Sequence, residues 1–446
     1  MKKKIVLLDC TLRDGGYYNN WDFSKNLISK YLKSIASSGV EFAEIGFRSL
    51  ESKTFKGACA YSRDSFIKNL KIPNSLKVGV MINASELLNH KTKKPIENIK
   101  LLFKNKKSKI KLVRIACHYF EIEKTLPIST WLKKRGFKVA FNIMQIAERS
   151  DKEIEYLGKI CSNYPIDVLY FADSMGSLKA NKIKKIILLL KKFWHGELGI
   201  HTHDNMDMAL INTQVAIENG VTWADSTVTG MGRGPGNSKT EYLVLKYQNE
   251  IKKKVNILPL LELIKDEFEP LQKKYKWGTN PFYFLAGMYG IHPTFIQGML
   301  NDVRFSSLDI LSAIEHLKSV GGKTFNKNLL DTDKKMYFGK CEGKWSPKSK
   351  IFNKEVLILG TGPGVNEHKI AIEEYIRQKR PFVIGLNTQR SIDEKLINVR
   401  AVCSAFRLLT DRKKYKSLRQ PIVLPLRRLS KDVNNYLASN TLLDFG

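Results

Sequence analysis

The sequence predicts an α/β protein: a (β/α)8 TIM barrel, then a helical appendage, then a small Rossmann-like α/β unit at the C-terminus. Three observations predict this fold class. Short apolar runs recur about every 30 residues, amphipathic segments of helical length separate them, and polar residues follow each run. Alternating strands and helices favour a parallel sheet, and eight repeats fit a closed barrel.

The eight apolar runs are each four to six residues long and rich in β-branched side chains. They are Ile5–Asp9, Phe42–Gly46, Lys77–Ile82, Lys111–Ala116, Lys138–Ile143, Asp167–Ala172, Leu198–His201 and Trp223–Val228. Predicted helices between them include Ser24–Ser38, Asn181–Trp194 and Asn205–Asn219. An open doubly wound sheet is the alternative, but such a sheet collects its functional residues at one switch point, whereas polar residues here follow every run.

The chain is predicted to have three parts. Residues 1–248 form the barrel, 249–345 a helical appendage with a linker, and 351–446 a small α/β domain. The appendage has a helical pattern with aromatic clusters such as Asn280–Leu285, and Gly321-Gly322 and Cys341–Lys350 have linker composition. The last part begins with a strand, a glycine loop and a helix.

Composition excludes several classes of protein. The N-terminal apolar run of about five residues is shorter than a signal-peptide core, and no apolar stretch approaches the ~20 residues of a membrane span. Six cysteines lack C-x-x-C spacing, which argues against a zinc knuckle or a disulfide framework. We therefore predict a soluble, cytoplasmic protein with reduced thiols and no membrane partner.

The net charge of +32 raises the question of nucleic-acid binding. The lysines are spread over the whole chain, and neither a basic tail nor a zinc-finger or aromatic RNA-binding motif is present. We interpret the charge as solvated surface and predict no nucleic-acid partner. The alternative is attraction of anionic substrates such as oxo acids or sugar phosphates.

Catalytic residues of a TIM barrel lie where the strands end at the C-terminal face. There the sequence places Asp14 after the first run and His201-Thr-His203 at the seventh. Residues two apart on a strand point to the same face, so the two imidazoles are expected to lie close together. Two imidazoles and one carboxylate form a site for a divalent ion that keeps positions open for substrate.

Arg13 puts a permanent positive charge beside that predicted metal site. A guanidinium there can stabilise a developing enolate, or it can form an ion pair with Glu44 that closes the barrel mouth. The two roles are compatible. The glycine-rich segment Gly230–Gly236 either lets the backbone approach a ligand closely or forms a tight loop.

These motifs, in this order, resemble the DRE-TIM metallolyase family over about residues 5–245. The resemblance rests on Arg13-Asp14, Glu44, His201-Thr-His203 and the glycine loop that ends in Asn237. It implies Asp14, His201 and His203 as metal ligands, with Asn237 as a further one. It also implies that Arg13 stabilises an oxyanion with Glu44 as its partner.

Within this family the chain is most similar to the 4-hydroxy-2-oxovalerate aldolases. Arg114–His118, Asp173-Ser174, the glycine loop and the segment Asn280–Met288 all favour that group. Ser174, Arg13 and Tyr283 are the predicted substrate-binding residues. Gly234 stands where the family's CoA-thioester lyases carry a cysteine, which argues against that activity.

One position departs from the aldolases, which have a histidine general base four residues after the motif arginine. This chain has Tyr17 there, and a phenol with a pKa near ~10 is a poor base at neutral pH. We predict that His118, or a water on the metal, is the base, because an imidazole pKa near ~6.5 suits the task. The alternative for His118 is a rim residue that only shapes the pocket, and Tyr17 would then orient the substrate hydroxyl.

The predicted activity is an aldolase that cleaves or forms the C3–C4 bond of a 4-hydroxy-2-oxo acid, giving pyruvate or a homologue and an aldehyde. The expected cofactor is a divalent ion, Mn²⁺ first, with Mg²⁺, Co²⁺ and Zn²⁺ as alternatives. Expected partners are these small molecules, a second copy of the chain, and an aldehyde-processing enzyme. Three rival functions remain. They are Claisen condensation of acetyl-CoA with a 2-oxo acid, an iron oxygenase, and a catalytically inactive barrel that serves as a binding module for nucleic acid.

The glycine loop of the last part departs from the dinucleotide-binding pattern. In Gly360-x-Gly362-x-Gly364 the third glycine comes one position early, and Asn387 stands where a ribose-binding carboxylate is expected. A structural βαβ unit, or a site for another nucleotide-like group, is therefore favoured as much as NAD binding. We predict that residues 351–446 are dispensable for the carbon–carbon chemistry.

Overall fold

The computed structural model describes residues 4–50, 54–89, 94–105, 108–251, 253–302, 305, 307–323, 343–402, 408, 411–428, 437 and 440–445. The chain divides into two compact units, Met1–Gln297 and Gly298–Gly446. This division falls inside the predicted segment 249–345, so that segment does not belong to one unit. The predicted boundaries at 248 and 345 stay predictions.

The first unit contains a closed barrel of eight parallel strands in sequential order, in which the first strand pairs with the eighth. The strands are β1 Val6–Asp9, β2 Phe42–Phe47, β3 Lys77–Asn83, β4 Ile110–Cys117, β5 Lys138–Ile143, β6 Val168–Asp173, β7 Glu197–Thr202 and β8 Trp223–Ser226. The predicted fold class is confirmed. The eighth run was predicted to reach Val228, but β8 ends at Ser226 because Val228 opens a 3-10 turn with Thr229 at φ 53°.

Helices and helical turns connect the strands on the outside of the barrel. They are Thr11–Asp14, Lys25–Ser37, Ala58–Tyr61, Asp64–Lys68, Ala84–Asn89, Pro95–Leu102, Ile122–Thr125, Pro127–Lys134, Asp151–Cys161, Ala180–Lys191, Ala209–Glu218 and Thr240–Lys246, with 3-10 turns at Gly15–Tyr17, Tyr119–Glu121 and Ile146–Glu148. Helix Ala209–Glu218 begins four residues later than predicted. The preceding residues form a turn instead, in which Asp207 has φ 58° and the Asp204 carboxylate accepts a hydrogen bond from Ala209 N.

The barrel interior is filled from its N-terminal end. One buried cluster consists of Cys10, which follows β1, and strand residues, several of them from the strand starts: Val6, Leu8, Phe42, Leu112, Ala140, Val168, Tyr170 and Trp223. A larger core lies between the strands and the outer helices. Because apolar side chains fill the N-terminal half of the interior, polar groups are left for the C-terminal face, where TIM barrels place their chemistry.

Helical segments follow the barrel. They are Leu258–Leu263, a π-helical turn Ile264–Phe268, Glu269–Tyr275, Pro281–Met288, Pro293–Leu300 and Ser307–Val320. Two contacts place helix Pro281–Met288 and the residues just before it against the C-terminal face of the barrel. Trp277 Nε1 donates a hydrogen bond to Thr229 O, and a Cβ at Gly287 would lie 2.9 Å from Asn205 Cβ.

The second unit holds a five-stranded parallel sheet in the order β13-β12-β11-β10-β9. Its strands are β9 Val356–Leu359, β10 Phe382–Leu386, β11 Val399–Ala401, β12 Ile422–Leu424 and β13 Leu442–Asp444, and its helices include Lys348–Ile351, Pro363–Glu367, Lys369–Lys379 and Arg412–Lys416. Cys341 and Glu342 of the predicted linker lie outside the described residues. Among the described helices of both units, none is long and apolar enough to cross a membrane.

Candidate metal centre and active site

Three predicted metal ligands meet at the C-terminal face of the barrel. Their ligand atoms, on Asp14, His201 and His203, all lie within 4.8 Å of one another. All three residues are buried, with at most 6 % of any of them exposed. Closure of the barrel explains the approach, because β1 pairs with β8 and β8 with β7, so residues 187 positions apart reach the same rim.

The donor atoms of this group fit a bound cation. Asp14 Oδ2, His203 Nδ1 and Asn237 Oδ1 are buried and have no hydrogen-bond partner in the described part of the chain. His201 Nε2 lies 3.2 Å from Asp14 Oδ2. A buried polar atom without a partner costs on the order of 1–3 kcal/mol, and a divalent ion among these nitrogen and oxygen atoms would remove that cost.

Asp225 on β8 and Arg114 on β4 meet across the barrel interior and hold His201 in place. Asp225 Oδ2 lies 2.8 Å from His201 Nδ1, so Nδ1 carries the proton and Nε2 presents its lone pair towards Asp14. Arg114 donates two hydrogen bonds to Asp225, at 2.9 and 2.7 Å. Asp225 was missed from the sequence, although an acidic residue within the apolar run of β8 was a usable signal.

The charges of this group set the pKa values of its members. Burial opposes ionisation of Asp14, but Arg13 and then His201 outweigh it and hold the Asp14 pKa well below its usual range. Burial would lower the pKa of His201, yet the neighbouring carboxylates of Asp14 and Asp225 raise it. Burial, and then the neighbouring His201, hold the His203 pKa well below its ordinary value, so His203 is a neutral imidazole ready to act as a ligand.

Arg13 bridges the two acidic residues nearest to it. Its Nη1 lies 2.6 Å from Asp14 Oδ1 and its Nε 2.8 Å from Glu44 Oε1, while Trp21 donates to its carbonyl oxygen. The remaining Nη2 is buried without a partner. The ion pair with Glu44 is therefore present, and it still leaves one N–H group of Arg13 for a ligand oxygen.

The glycine loop places Asn237 beside His201. Asn237 Nδ2 lies 3.2 Å from His201 Nε2 and donates to Thr202 O at 3.1 Å. A Cβ at Gly232 would lie 1.7 Å from Asn237 Oδ1, so this close approach requires glycine. The predicted backbone approach is therefore to the Asn237 side chain, within the tight loop itself.

Tyr17 and Arg233 lie at the outer side of the mouth. The Arg233 Cζ atom is 5.7 Å from the centre of the Tyr17 ring, which also packs edge-on against Trp21. Although 41 % of Tyr17 is exposed, burial of its hydroxyl raises its pKa above the ordinary value. The phenol therefore keeps its proton at neutral pH.

His118 and His292 form a second pair of imidazoles in this region. His118 is half-buried just after β4 and stacks on Phe120 with ring centres 5.5 Å apart, and burial lowers its pKa. His292 was missed from the sequence because it lies after the barrel. Burial, and then the charges of Arg233 and His118, lower the His292 pKa to about 3. The contacts described for His118 include none of the three clustered metal ligands.

The two remaining predicted substrate-binding residues occupy different parts of the face. Ser174 Oγ accepts a hydrogen bond from Gln145 N at 2.9 Å and keeps its own proton to donate. Tyr283 is 3 % exposed, and its ring would lie 3.0 Å from a Cβ at Gly234. Burial raises the Tyr283 pKa, so its hydroxyl is a donor at neutral pH.

The fold and the clustered residues define a TIM-barrel lyase. Residues 4–265 match the family described as HMGL-like, and the chain belongs to that family. It is therefore an enzyme of the aldolase and lyase class, as the sequence predicted.

Within the family, the chain is similar to curated 4-hydroxy-2-oxovalerate aldolases. The chain is 25 % identical over 329 residues to a 4-hydroxy-2-oxovalerate aldolase of Brevibacillus brevis, which covers 72 % of this chain and 94 % of the relative. It is 23 % identical over 299 residues to 4-hydroxy-2-oxovalerate aldolase 2 of Rhodococcus jostii, covering 67 % and 84 %.

Solved structures agree on the fold. The N-terminal domain of a candidate aldolase from Bacteroides vulgatus is 30 % identical, with a TM-score of 0.60 over 66 % of this chain and 96 % of that one. The carboxyl transferase domain of Rhizobium etli pyruvate carboxylase has a TM-score of 0.53 at 14 % identity, covering 79 % and 59 %. The second likeness concerns the fold alone.

Proposed function

We propose that this chain is a divalent-metal aldolase that cleaves or forms the C3–C4 bond of a 4-hydroxy-2-oxo acid, giving pyruvate or a homologue and an aldehyde. One observation carries the proposal. The unpartnered Nη2 of Arg13 belongs to a guanidinium that touches Asp14, a member of the clustered donor group. The same point of the barrel therefore offers cation ligands and a hydrogen-bond donor for an anionic oxygen.

Asp14, His201, His203 and Asn237 are the residues that would hold the ion. The mixture of carboxylate, amide and imidazole donors suits Mn²⁺ best, and Mg²⁺, Co²⁺ and Zn²⁺ are the alternatives. When bound, the ion supplies Lewis-acid polarisation of the 2-oxo group.

Arg13 would stabilise the enolate left when the aldehyde departs. Its buried Nη2 has no hydrogen-bond partner in the described part of the chain and so keeps its N–H donors for a ligand, and Glu44 fixes the guanidinium through Nε. Such preorganised donors act where charge develops in the transition state, in a site that excludes water. Ser174 and Tyr283 each keep a hydroxyl proton to donate, and we assign them to the carboxylate and the distal end of the substrate.

Bond cleavage also needs a base for the proton of the 4-hydroxyl group. We assign this role to His118, whose lowered pKa keeps it neutral at pH 7. Tyr17, with its raised pKa, would orient that hydroxyl instead. His118 directly follows β4, so it belongs to the same C-terminal rim of the barrel as the clustered donor group.

The test is pyruvate release from a panel of 4-hydroxy-2-oxo acids, with Mn²⁺, Mg²⁺, Co²⁺ or Zn²⁺ added to protein freed of metal by a chelator. We expect metal-dependent release, lost in Asp14→Asn. A matched control is Asp167→Asn, which removes a half-exposed carboxylate at the other end of the barrel, where it pairs with Lys133. Acetyl-CoA-dependent thiol release without pyruvate release would contradict the proposal and support the Claisen alternative.

A further inference from the structure

Arg233 differs from the fully buried arginines of the barrel. Arg13, Arg48 and Arg114 each contact at least one carboxylate within 3.4 Å. Arg233 is half-buried, and in the described part of the chain its guanidinium contacts no carboxylate and its Nε atom has no hydrogen-bond partner. Its one described side-chain neighbour is the Tyr17 ring.

The loop that carries Arg233 is held firmly against the mouth of the barrel. Gly234 O accepts hydrogen bonds from the Tyr18 hydroxyl and from Gly278 N, at 3.3 and 3.2 Å. The next residue, Gly234, lies beside the Tyr283 ring, from which a Cβ at Gly234 would be 3.0 Å away. Arg233 is therefore flanked by the Tyr17 ring and by helix Pro281–Met288, which carries Tyr283.

A chain of contacts links Arg233 to Arg13. Tyr17 touches Arg233, and it packs edge-on against Phe47, whose ring centre lies 6.0 Å from Arg13 Cζ. Two aromatic rings thus connect the two guanidinium groups, and Tyr17 is the one next to Arg233. If Arg13 serves the 2-oxo end and Tyr17 orients the 4-hydroxyl group, Arg233 lies beyond that hydroxyl, beside the aldehyde-derived part of the substrate.

A guanidinium that is partly desolvated and unpaired is costly, and an anion is the ligand that offsets the cost. Its planar fork matches the two oxygens of a carboxylate or a phosphate. We propose that Arg233 binds a second anionic group, a carboxylate or a phosphate, on the aldehyde-derived half of the substrate. This inference rests on the proposed function and names its substrate class.

The experiment runs the reaction in the direction of condensation, with pyruvate and matched pairs of aldehydes. Butanal is paired with succinic semialdehyde, and glyceraldehyde with glyceraldehyde 3-phosphate, so the two pairs distinguish a carboxylate from a phosphate. The wild-type protein should prefer one anionic member by about 10- to 100-fold in kcat/KM, the range of a charge-assisted hydrogen bond. Added salt should reduce that preference.

Arg233→Gln should remove the preference while activity with the neutral aldehydes changes less than about threefold, and Arg233→Lys should keep part of it. Lys111→Gln is the matched control, since it removes one positive charge from an exposed position near the start of β4. It should leave the preference unchanged.

Two results would overturn the inference in different ways. An equal loss with neutral and anionic aldehydes in Arg233→Gln would show that Arg233 serves the 2-oxo acid or only shapes the loop. Exchange of the pyruvate C3 protons in D₂O, which needs no aldehyde, tests the proposed function separately. If wild-type protein with metal shows no exchange, the proposed function fails and this inference fails with it; exchange without any anionic preference overturns the inference alone.

Discussion

The barrel mouth has two halves that differ in how their charges are balanced. In the metal half, formed by Asp14, His201, His203, Arg13 and Asn237, each charged group contacts a charge of opposite sign within 3.2 Å. In the outer half, formed by Tyr17, His118, Arg233, His292 and Tyr283, no carboxylate pairs with Arg233 in the described part of the chain. Side chains of the protein balance the charges of the metal half. In the outer half, the proposed anionic group of the substrate would balance the charge of Arg233.

The largest effect is expected in the metal half, from Arg13→Ala. Removing the donor to the developing enolate should lower kcat by 10²–10³ or more. Metal affinity should change far less, because Arg13 contacts Asp14 Oδ1 and not the unpartnered Oδ2. Steady-state kinetics and metal titration by calorimetry measure the two effects.

Arg48→Ala is the control for Arg13→Ala. Arg48 is equally buried and also ion-paired, but its partners are Asp64 and the carbonyl oxygens of Leu102 and Ser62, away from the metal group. It should reduce stability and leave kcat of the folded protein within a few-fold. A near-normal kcat in Arg13→Ala would show that the assignment of Arg13 is wrong.

The next largest effect is expected from Asp225→Asn. This variant tests whether the Asp225 carboxylate orients the His201 ring for metal binding. Losing the carboxylate that orients His201 should weaken metal binding by about 10- to 100-fold, as for other groups behind a metal ligand. Activity at saturating metal should largely return. The variant also leaves Arg114 with only its weaker contact to Glu44, at 3.4 Å, so thermal unfolding should be followed alongside.

An unchanged metal affinity in Asp225→Asn would mean that packing alone fixes the His201 ring. Asp173→Asn offers a comparison. Asp173 is another buried carboxylate at a strand end, and it accepts hydrogen bonds only from backbone N–H groups in the described contacts, at Ser177 and Leu178. Its loss should leave metal affinity within about threefold of wild type.

In the outer half, His118→Ala and Tyr17→Phe should have unequal effects on the pH profile. A base works in its unprotonated form, and His118 has a lowered pKa. Activity should therefore be full at neutral pH and fall as pH drops through a value below 6.5, the ordinary pKa of histidine. His118→Ala should lose that acid limb and about 10²–10⁴ in kcat. Tyr17→Phe should keep the limb, with a modest loss.

The reverse pattern would contradict the assignment. If Tyr17→Phe is inactive and His118→Ala is nearly normal, the phenol carries the proton despite its raised pKa. If both variants keep the acid limb, a third group titrates there. His292 would not explain such a limb near neutrality, because its pKa is about 3.

The sequence predicted the metal half better than the outer half, for a geometric reason. Asp14, His201 and His203 follow barrel strands, and a closed barrel fixes which strand ends meet. Asp225 was not predicted from the sequence, because its role depends on side-chain contacts such as the one with Arg114, which lies 111 residues away in the chain. Arg233 was seen only as part of a glycine loop, and nothing in the loop's spacing reveals that its guanidinium lacks an acidic partner.

The helical segments show the other limit of sequence reasoning. Tyr283 and His292 belong to segments whose approach to the barrel follows from packing, as in the contact of Gly287 with Asn205. Periodicity predicted these helices without predicting which face of the barrel they would cover. The likeness to the aldolases indicated Tyr283, and His292 had no such guide.

The smallest effect is expected from removing residues 348–446, which belong to neither half of the mouth. Every residue assigned to the chemistry lies before residue 293, and the match to the family ends at residue 265. The cut leaves helices Pro293–Leu300 and Ser307–Val320 in place, whereas a cut at the unit boundary after 297 would divide the first of them. Residues 1–347 should therefore bind metal and exchange the pyruvate C3 protons within about twofold of the full chain, because the cut removes none of the residues assigned to transition-state stabilisation. A fragment of residues 1–297 is the control, because it should be less stable while the metal group stays intact.

One outcome would contradict this prediction. If residues 1–347 fold, bind metal and fail to exchange those protons, the second unit contributes to the chemistry, and the assignment of all catalytic residues to the barrel mouth is wrong.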